Sequence, residues 1–145
     1  MDEPTLIADG VVRLGTPLVN WYLVSDDSGV SVVDAGLPGL APQLDEGLKL
    51  LGRSRDDVRA FLLTHGDADH TGVAGKLRKE GDETPIHLHP DDEYIARGGN
   101  KKTEDPMWRL MLKPGTVRLF AHFARYGGAT PPKIERTAAL ADGQT

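Results

Sequence analysis

The feature that most constrains the fold is an apolar run that leads directly into a loop of histidines and aspartates. Residues 58–63 read VRAFLL, a short run of the kind that forms a buried strand. Residues 64–72 read THGDADHTG, and Val73 and Leu77 follow at helical spacing before Gly81. A strand that opens through a loop into a helix is typical of α/β proteins, which place ligand-binding groups at that point.

The rest of the chain fits the same alternation of strands and helices. The dipeptide Asp9-Gly10 between two apolar stretches predicts a β-hairpin, and leucines at helical spacing before Gly52 predict a helix. The other predicted strands cover residues 18–24, 30–33, 85–89 and 138–140, and the other predicted helices cover 38–51 and 91–97. We therefore expect one α/β domain over residues 1–145, with an antiparallel or mixed sheet and flanking helices.

Residues 104–126 show a different pattern, with two apolar helical faces separated by Lys113-Pro114-Gly115. The first face contains Met107, Trp108, Met111 and Leu112, and the second contains Val117, Phe120, Ala121 and Ala124. This pattern predicts a helical hairpin inserted in the domain and packed on the sheet. Contact with a substrate is the alternative role for the same faces.

Composition excludes several kinds of partner and site. The net charge of −5 and the lack of a long basic run argue against nucleic acid or an anionic membrane as partner. There is no cysteine, so any metal must take nitrogen and oxygen ligands. No apolar run is long enough to span a membrane, and the first ten residues, MDEPTLIADG, lack the apolar core of a secretory signal. We expect a cytoplasmic protein.

The loop after residue 63 concentrates potential metal ligands, namely His65, Asp67, Asp69 and His70. A reversal of the backbone there lets side chains four or five positions apart converge on one point. Imidazole and carboxylate together suit zinc, iron or manganese, whereas calcium prefers a set of oxygens. A structural alternative is that Asp69 only caps the following helix and that the histidines are polar loop residues.

The loop THGDADHTG after an apolar strand resembles the His-x-His-x-Asp-His loop of the metallo-β-lactamase superfamily. Upstream, VSVVDAGLPG resembles the strand of that family that ends in Asp-x-Gly, and NWYLV matches the strand before it. The three features occur in the family's order between Asn20 and Leu88. The resemblance implies the N-terminal half of a four-layer αββα sandwich with one or two zinc ions at one edge of the sheets.

The resemblance also implies roles for the loop residues. His65 would be a ligand of the first metal, and Asp69 and His70 would serve the second. Asp67 stands where the family has its middle histidine, and it either ligates through oxygen or turns outward. Asp34 would support the ligands or stabilise the turn before the helix, without touching the metal. The implied reaction is attack of metal-bound hydroxide on an ester, thioester, lactone or amide of a small molecule, with Asp69 orienting or deprotonating the water.

A second departure from the family concerns the ligands of its second half, which are a histidine, a bridging aspartate and a last histidine. We interpret His87 and His89 as strand-end residues and His122 as a packing residue, so none replaces them. The sequence is therefore predicted to be a truncated domain whose incomplete ligand set binds metal weakly and which hydrolyses substrate slowly or not at all.

Two alternatives follow from these departures. One is an enzyme that uses a single iron to oxidise a sulfur compound, because Asp67 in place of histidine favours one metal over two. The other is a non-catalytic half-fold that forms homo-oligomers through exposed apolar sheet surface. No motif identifies the substrate.

Overall fold

A seven-stranded mixed sheet organises the residues that the computed structural model describes, 2–99 and 114–140. Its strands are β1 Thr5–Ala8, β2 Val11–Gly15, β3 Asn20–Asp26, β4 Gly29–Val33, β5 Val58–Leu62, β6 Ile86–Leu88 and β7 Ala138–Ala139. The helices are α1 Pro42–Leu50, α2 Ala68–Lys79, α3 Glu93–Ala96 and α4 Pro114–Arg125. Short 3₁₀ turns occupy Pro38–Leu40, Arg55–Asp57 and Pro90–Asp92.

The strands lie side by side in the order of the sequence, antiparallel from β1 to β4 and parallel from β4 to β7. The antiparallel half follows from its tight turns. Gly10 has a φ of 69°, a value that glycine adopts without steric cost. In the turn between β3 and β4, the Asp26 carboxylate accepts hydrogen bonds from the backbone nitrogens of Ser28 and Gly29, at 2.8 and 3.2 Å. The predicted mixed sheet with flanking helices is confirmed.

The parallel half brings two strand ends together. Crossovers through α1 and α2 connect β4 to β5 and β5 to β6, as parallel pairing requires. Val33 lies opposite Leu62, and the backbone nitrogen of Asp34 donates to the carbonyl of Leu62 at 2.9 Å. The residue after β4 therefore lies beside the start of the predicted ligand loop, although about thirty residues separate them in sequence.

One face of the sheet carries the core, because alternate side chains along each strand point toward the helices. Gly47 lets α1 approach closely, since a Cβ there would lie 2.8 Å from the Leu14 side chain and 2.9 Å from that of Leu23. The largest fully buried side chains are Trp21, Phe61, Leu14, Leu23, Leu37, Leu40, Leu44, Leu48, Leu88, Ile134, Gln43 and Val12. On the other side of the strands, Val24 is 39% exposed.

The helix predictions are confirmed in the described residues. Helix α1 ends before Gly52, which has a φ of 64°. The second helix of the predicted hairpin corresponds to α4, and the first, around Met107 to Leu112, lies outside the described residues. The predicted packing face of α4 is wrong, because Val117 and Phe120 are 50% and 42% exposed, whereas Phe123 and Tyr126 pack against the core. None of the helices in the described part of the chain is long and apolar enough to cross a membrane.

Candidate metal site

The ligand loop is held against the segment that follows β4. The backbone nitrogens of Gly72 and Val73 in α2 donate to the carbonyls of Gly36 and Ala35, at 2.9 and 2.8 Å. Only glycine fits at position 72, because a Cβ there would lie 2.5 Å from the Gly36 oxygen. Helix α2 starts at Ala68, so Asp69 lies within its first turn and is not the cap, contrary to the alternative above. Asp67 occupies the cap position, and its side chain makes no capping hydrogen bond.

Asp34 lies at the centre of the site. It is 7% exposed, and its φ of 59° is uncommon for a residue other than glycine. Its Oδ1 accepts hydrogen bonds from the backbone nitrogen and the hydroxyl of Thr64, both at 2.9 Å. Its Oδ2 lies 2.9 Å from Nδ1 of His70. Strained backbone of this kind persists where the surroundings hold it and is concentrated at functional sites.

The four loop residues are linked by pairwise contacts beside Asp34. The rings of His65 and His70 lie 3.8 Å apart, centroid to centroid, with planes tilted by 44°. Nε2 of His65 is 3.5 Å from Oδ2 of Asp67, and Nε2 of His70 is 3.5 Å from Oδ2 of Asp69. The structure thus places each predicted ligand, and Asp34, within one cluster.

The carboxylates change the protonation of the cluster. Burial by itself disfavours the charged imidazole, but the close contacts and negative charges of the Asp34 and Asp69 carboxylates outweigh it and raise the pKa of His70 to about 9. Burial also opposes ionisation of the two carboxyls, yet contact with His70 holds the pKa of Asp34 and of Asp69 below the usual value. At neutral pH, His70 is therefore a cation between two anions.

The donor set fits a metal by its chemistry. The 2.9 Å contact between His70 and Asp34 is not aligned as a hydrogen bond, and within the described residues Nδ1 of His70 is buried without a well-directed partner. In residues 2–99 and 114–140, no three His, Asp or Glu side chains are arranged to hold one ion. Two imidazoles and several carboxylates nevertheless suit zinc, iron or manganese, so binding requires side-chain rearrangement and loss of the His70 proton.

The remaining histidines lie elsewhere, as predicted. His89 follows β6, and its Nδ1 accepts from the backbone nitrogen of Asp91 at 3.3 Å. His122 in α4 is half-buried, with its Nε2 3.0 Å from the hydroxyl of Thr16. The sequence interpretation missed Thr64, whose hydroxyl contacts both Asp34 and His65. Its position directly before His65 was the only available signal.

Two open clefts flank the loop. One, of about 590 Å³, is mainly apolar and is lined by Val33, Leu62, Leu63, Thr64, His89 and Leu140. The other, of about 490 Å³, lies on the side of α3 and includes Asp67, Thr71 and Lys133 among its lining residues. Both have room for a small molecule next to the ligand cluster.

Comparison with known families identifies the class of protein. The model of the metallo-beta-lactamase superfamily matches residues 14–135, and the chain belongs to this superfamily. The match includes Asp34 and the whole ligand loop.

Individual relatives agree with this assignment. The probable metallo-hydrolase YybB of Bacillus subtilis (strain 168) is 27% identical over 146 residues, covering 90% of this chain and 64% of its own length. An uncharacterized protein of Aquifex aeolicus (strain VF5) is 30% identical over 131 residues, covering 86% of this chain and 49% of its own. A metallo-beta-lactamase of Cronobacter sakazakii with an HARLDQ motif has a TM-score of 0.66 and 28% identity, over 99% of this chain and 48% of its own. The chain thus spans from about half to two thirds of the length of these relatives.

Proposed function

We propose that this chain supplies the first ligand loop of a metal-dependent hydrolase that acts on an ester, thioester, lactone or amide of a small molecule. His65, Asp67, Asp69 and His70 would hold one or two zinc ions. A bound zinc ion supplies Lewis acidity, which polarises a carbonyl group and makes water acidic enough to act as a nucleophile near neutral pH.

The observation that carries the proposal is the convergence of both loop histidines with Asp69 and Asp34 in a chain of this superfamily. Each residue has a separate task. Asp34 lies 2.9 Å from Nδ1 of His70, so Nε2 is the nitrogen of this ring that would hold a metal. Because the pKa of Asp69 is lowered, this side chain stays ionised at neutral pH. It can therefore accept a hydrogen bond from the attacking water and orient it toward the carbonyl.

Asp67 does not rule out metal binding. The Cronobacter motif HARLDQ has arginine at its third position, where HGDADH of this chain has Asp67, and it shares the first histidine and the fifth aspartate. The motif of that metallo-beta-lactamase therefore also lacks histidine at its third position. Asp67 at 3.5 Å from His65 supports ligation through oxygen, which also suits iron or manganese.

Zinc titration of the purified chain tests this proposal. We expect a competing chromophoric chelator to lose zinc to the wild-type protein and to retain it with a His65→Ala/His70→Ala variant. His89→Ala is the matched control, because this exposed histidine lies outside the cluster. If the double variant takes as much zinc from the chelator as the wild type does, the proposed site is refuted. Metal analysis of the protein as isolated separates zinc from the iron-dependent alternative.

The turnover of the chain alone is a separate part of the proposal. Because it spans about half the length of several relatives, we infer that the 145 residues alone hydrolyse substrate slowly or not at all.

The exposed apolar side chains of Leu6 and Ile7 on β1, 56% and 53% exposed, also favour a homo-oligomer. Light scattering across a concentration series would detect it, and a monomer at the highest concentration would exclude it.

A further inference from the structure

Thr64 connects the parts of the ligand cluster. Its hydroxyl lies 2.9 and 3.1 Å from the two carboxylate oxygens of Asp34 and 3.0 Å from Nδ1 of His65. Its backbone nitrogen donates independently to Asp34 at 2.9 Å. The hydroxyl and the backbone nitrogen of Thr64 therefore make separate contacts, and a substitution can remove those of the hydroxyl while the backbone contact stays.

The hydrogen-bonding capacity of these groups determines where the protons lie. An ionised carboxylate only accepts hydrogen bonds, and a hydroxyl has a single proton to donate. The Thr64 proton therefore goes to Asp34. The contact between the hydroxyl oxygen and Nδ1 of His65 is then a hydrogen bond only if Nδ1 carries the proton and donates it.

We propose that Thr64 is a positioning residue that fixes His65 in the tautomer protonated on Nδ1, leaving the lone pair of Nε2 for a metal. Nε2 faces the Asp67 carboxylate at 3.5 Å, a contact that by itself favours a proton on Nε2, so the shorter 3.0 Å contact of Nδ1 with Thr64 has to outweigh it. Asp34 lies 2.9 Å from Nδ1 of His70 and reaches His65 through the Thr64 hydroxyl, so one carboxylate contacts one imidazole directly and the other through Thr64. This inference adds a residue to the proposed site, and its first test does not depend on metal binding.

The first test is the tautomer of His65 in the metal-free protein. Long-range ¹H–¹⁵N spectra of histidine-labelled protein at pH 8 with a chelator report which ring nitrogen is protonated, and a His65→Gln variant assigns the signals. We expect Nδ1–H in the wild type and in Thr64→Ser, and loss of this preference in Thr64→Val, which is close to threonine in shape and keeps the backbone donor. A wild-type His65 protonated on Nε2 overturns the proposal, whether or not any variant folds.

The second test is zinc affinity by chelator competition. Loss of a group that orients a metal ligand typically weakens affinity by about 10- to 100-fold, so we expect that loss in Thr64→Val and near wild-type affinity in Thr64→Ser. Unchanged affinity in a folded Thr64→Val overturns the role toward the metal. If the wild type shows the Nδ1–H tautomer but retains no zinc, the proposed hydrolase function fails while the orienting role of Thr64 stands.

Discussion

The raised pKa of His70 predicts a specific dependence of stability on pH in the metal-free protein. The pKa is about 9 in the folded state, whereas an unperturbed histidine has a value near 6.5. The folded state therefore binds this proton more tightly than the unfolded state. The resulting stabilisation is fully present below about pH 6.5 and is lost as the pH rises through about 9.

The magnitude follows from the size of the shift. The difference between a pKa of about 9 in the folded state and about 6.5 in the unfolded state corresponds to about 3 kcal/mol, since a tenfold change in proton affinity is worth roughly 1.4 kcal/mol. The His70 side chain is 22% exposed, and solvent screening reduces the net effect, so we expect about 2 kcal/mol. His70→Gln removes the titrating group and should abolish this component.

Urea unfolding with a chelator present, at intervals from pH 6 to pH 10, measures the effect. We expect the wild-type free energy of unfolding to fall by about 2 kcal/mol across this range and that of His70→Gln to stay nearly level. His89→Gln is the control, because this histidine is exposed and should leave the wild-type slope intact. If the free energy of unfolding falls with pH equally in His70→Gln and in the wild type, the ion pairs of His70 do not stabilise the fold.

Two further substitutions test the packing and the ligand set. Gly72→Ala places a Cβ against the Gly36 backbone and should cost roughly 2–4 kcal/mol in urea unfolding, whereas Gly115→Ala, with no atom within 4 Å, should change stability by less than about 1 kcal/mol. A Gly72→Ala variant as stable as the wild type would show that α2 can shift. Asp67→His restores the family's middle histidine and should tighten zinc binding about tenfold in chelator competition, because imidazole is a good zinc ligand. Weaker binding would show that an imidazole at this position does not reach the metal as the Asp67 carboxylate would.

The elements were predictable from sequence because their signals are local. The turn at Asp9-Gly10, the helix end at Gly52 and the strand before His65 each depend on a few adjacent residues. The contacts of Asp34 were not predictable in detail. They depend on the parallel register that sets Val33 opposite Leu62, and a register cannot be read from either strand alone. The role of Thr64 has the same origin, since its hydroxyl matters only when Asp34 lies beside it.

The order of the strands also has a consequence for how the ligand cluster forms. Strands β1 to β4 are joined by short turns, whereas a crossover containing α1 must be closed before β5 can pair with β4. Short hairpins form in microseconds, and closure of longer loops delays parallel pairing. Asp34 ends the early-forming half and His70 belongs to the late one, so we expect their contact to arise after the rate-limiting step. Stopped-flow kinetics of His70→Gln should then show faster unfolding at an unchanged refolding rate. The contact between Asp34 and His70 would therefore slow unfolding without taking part in the folding nucleus.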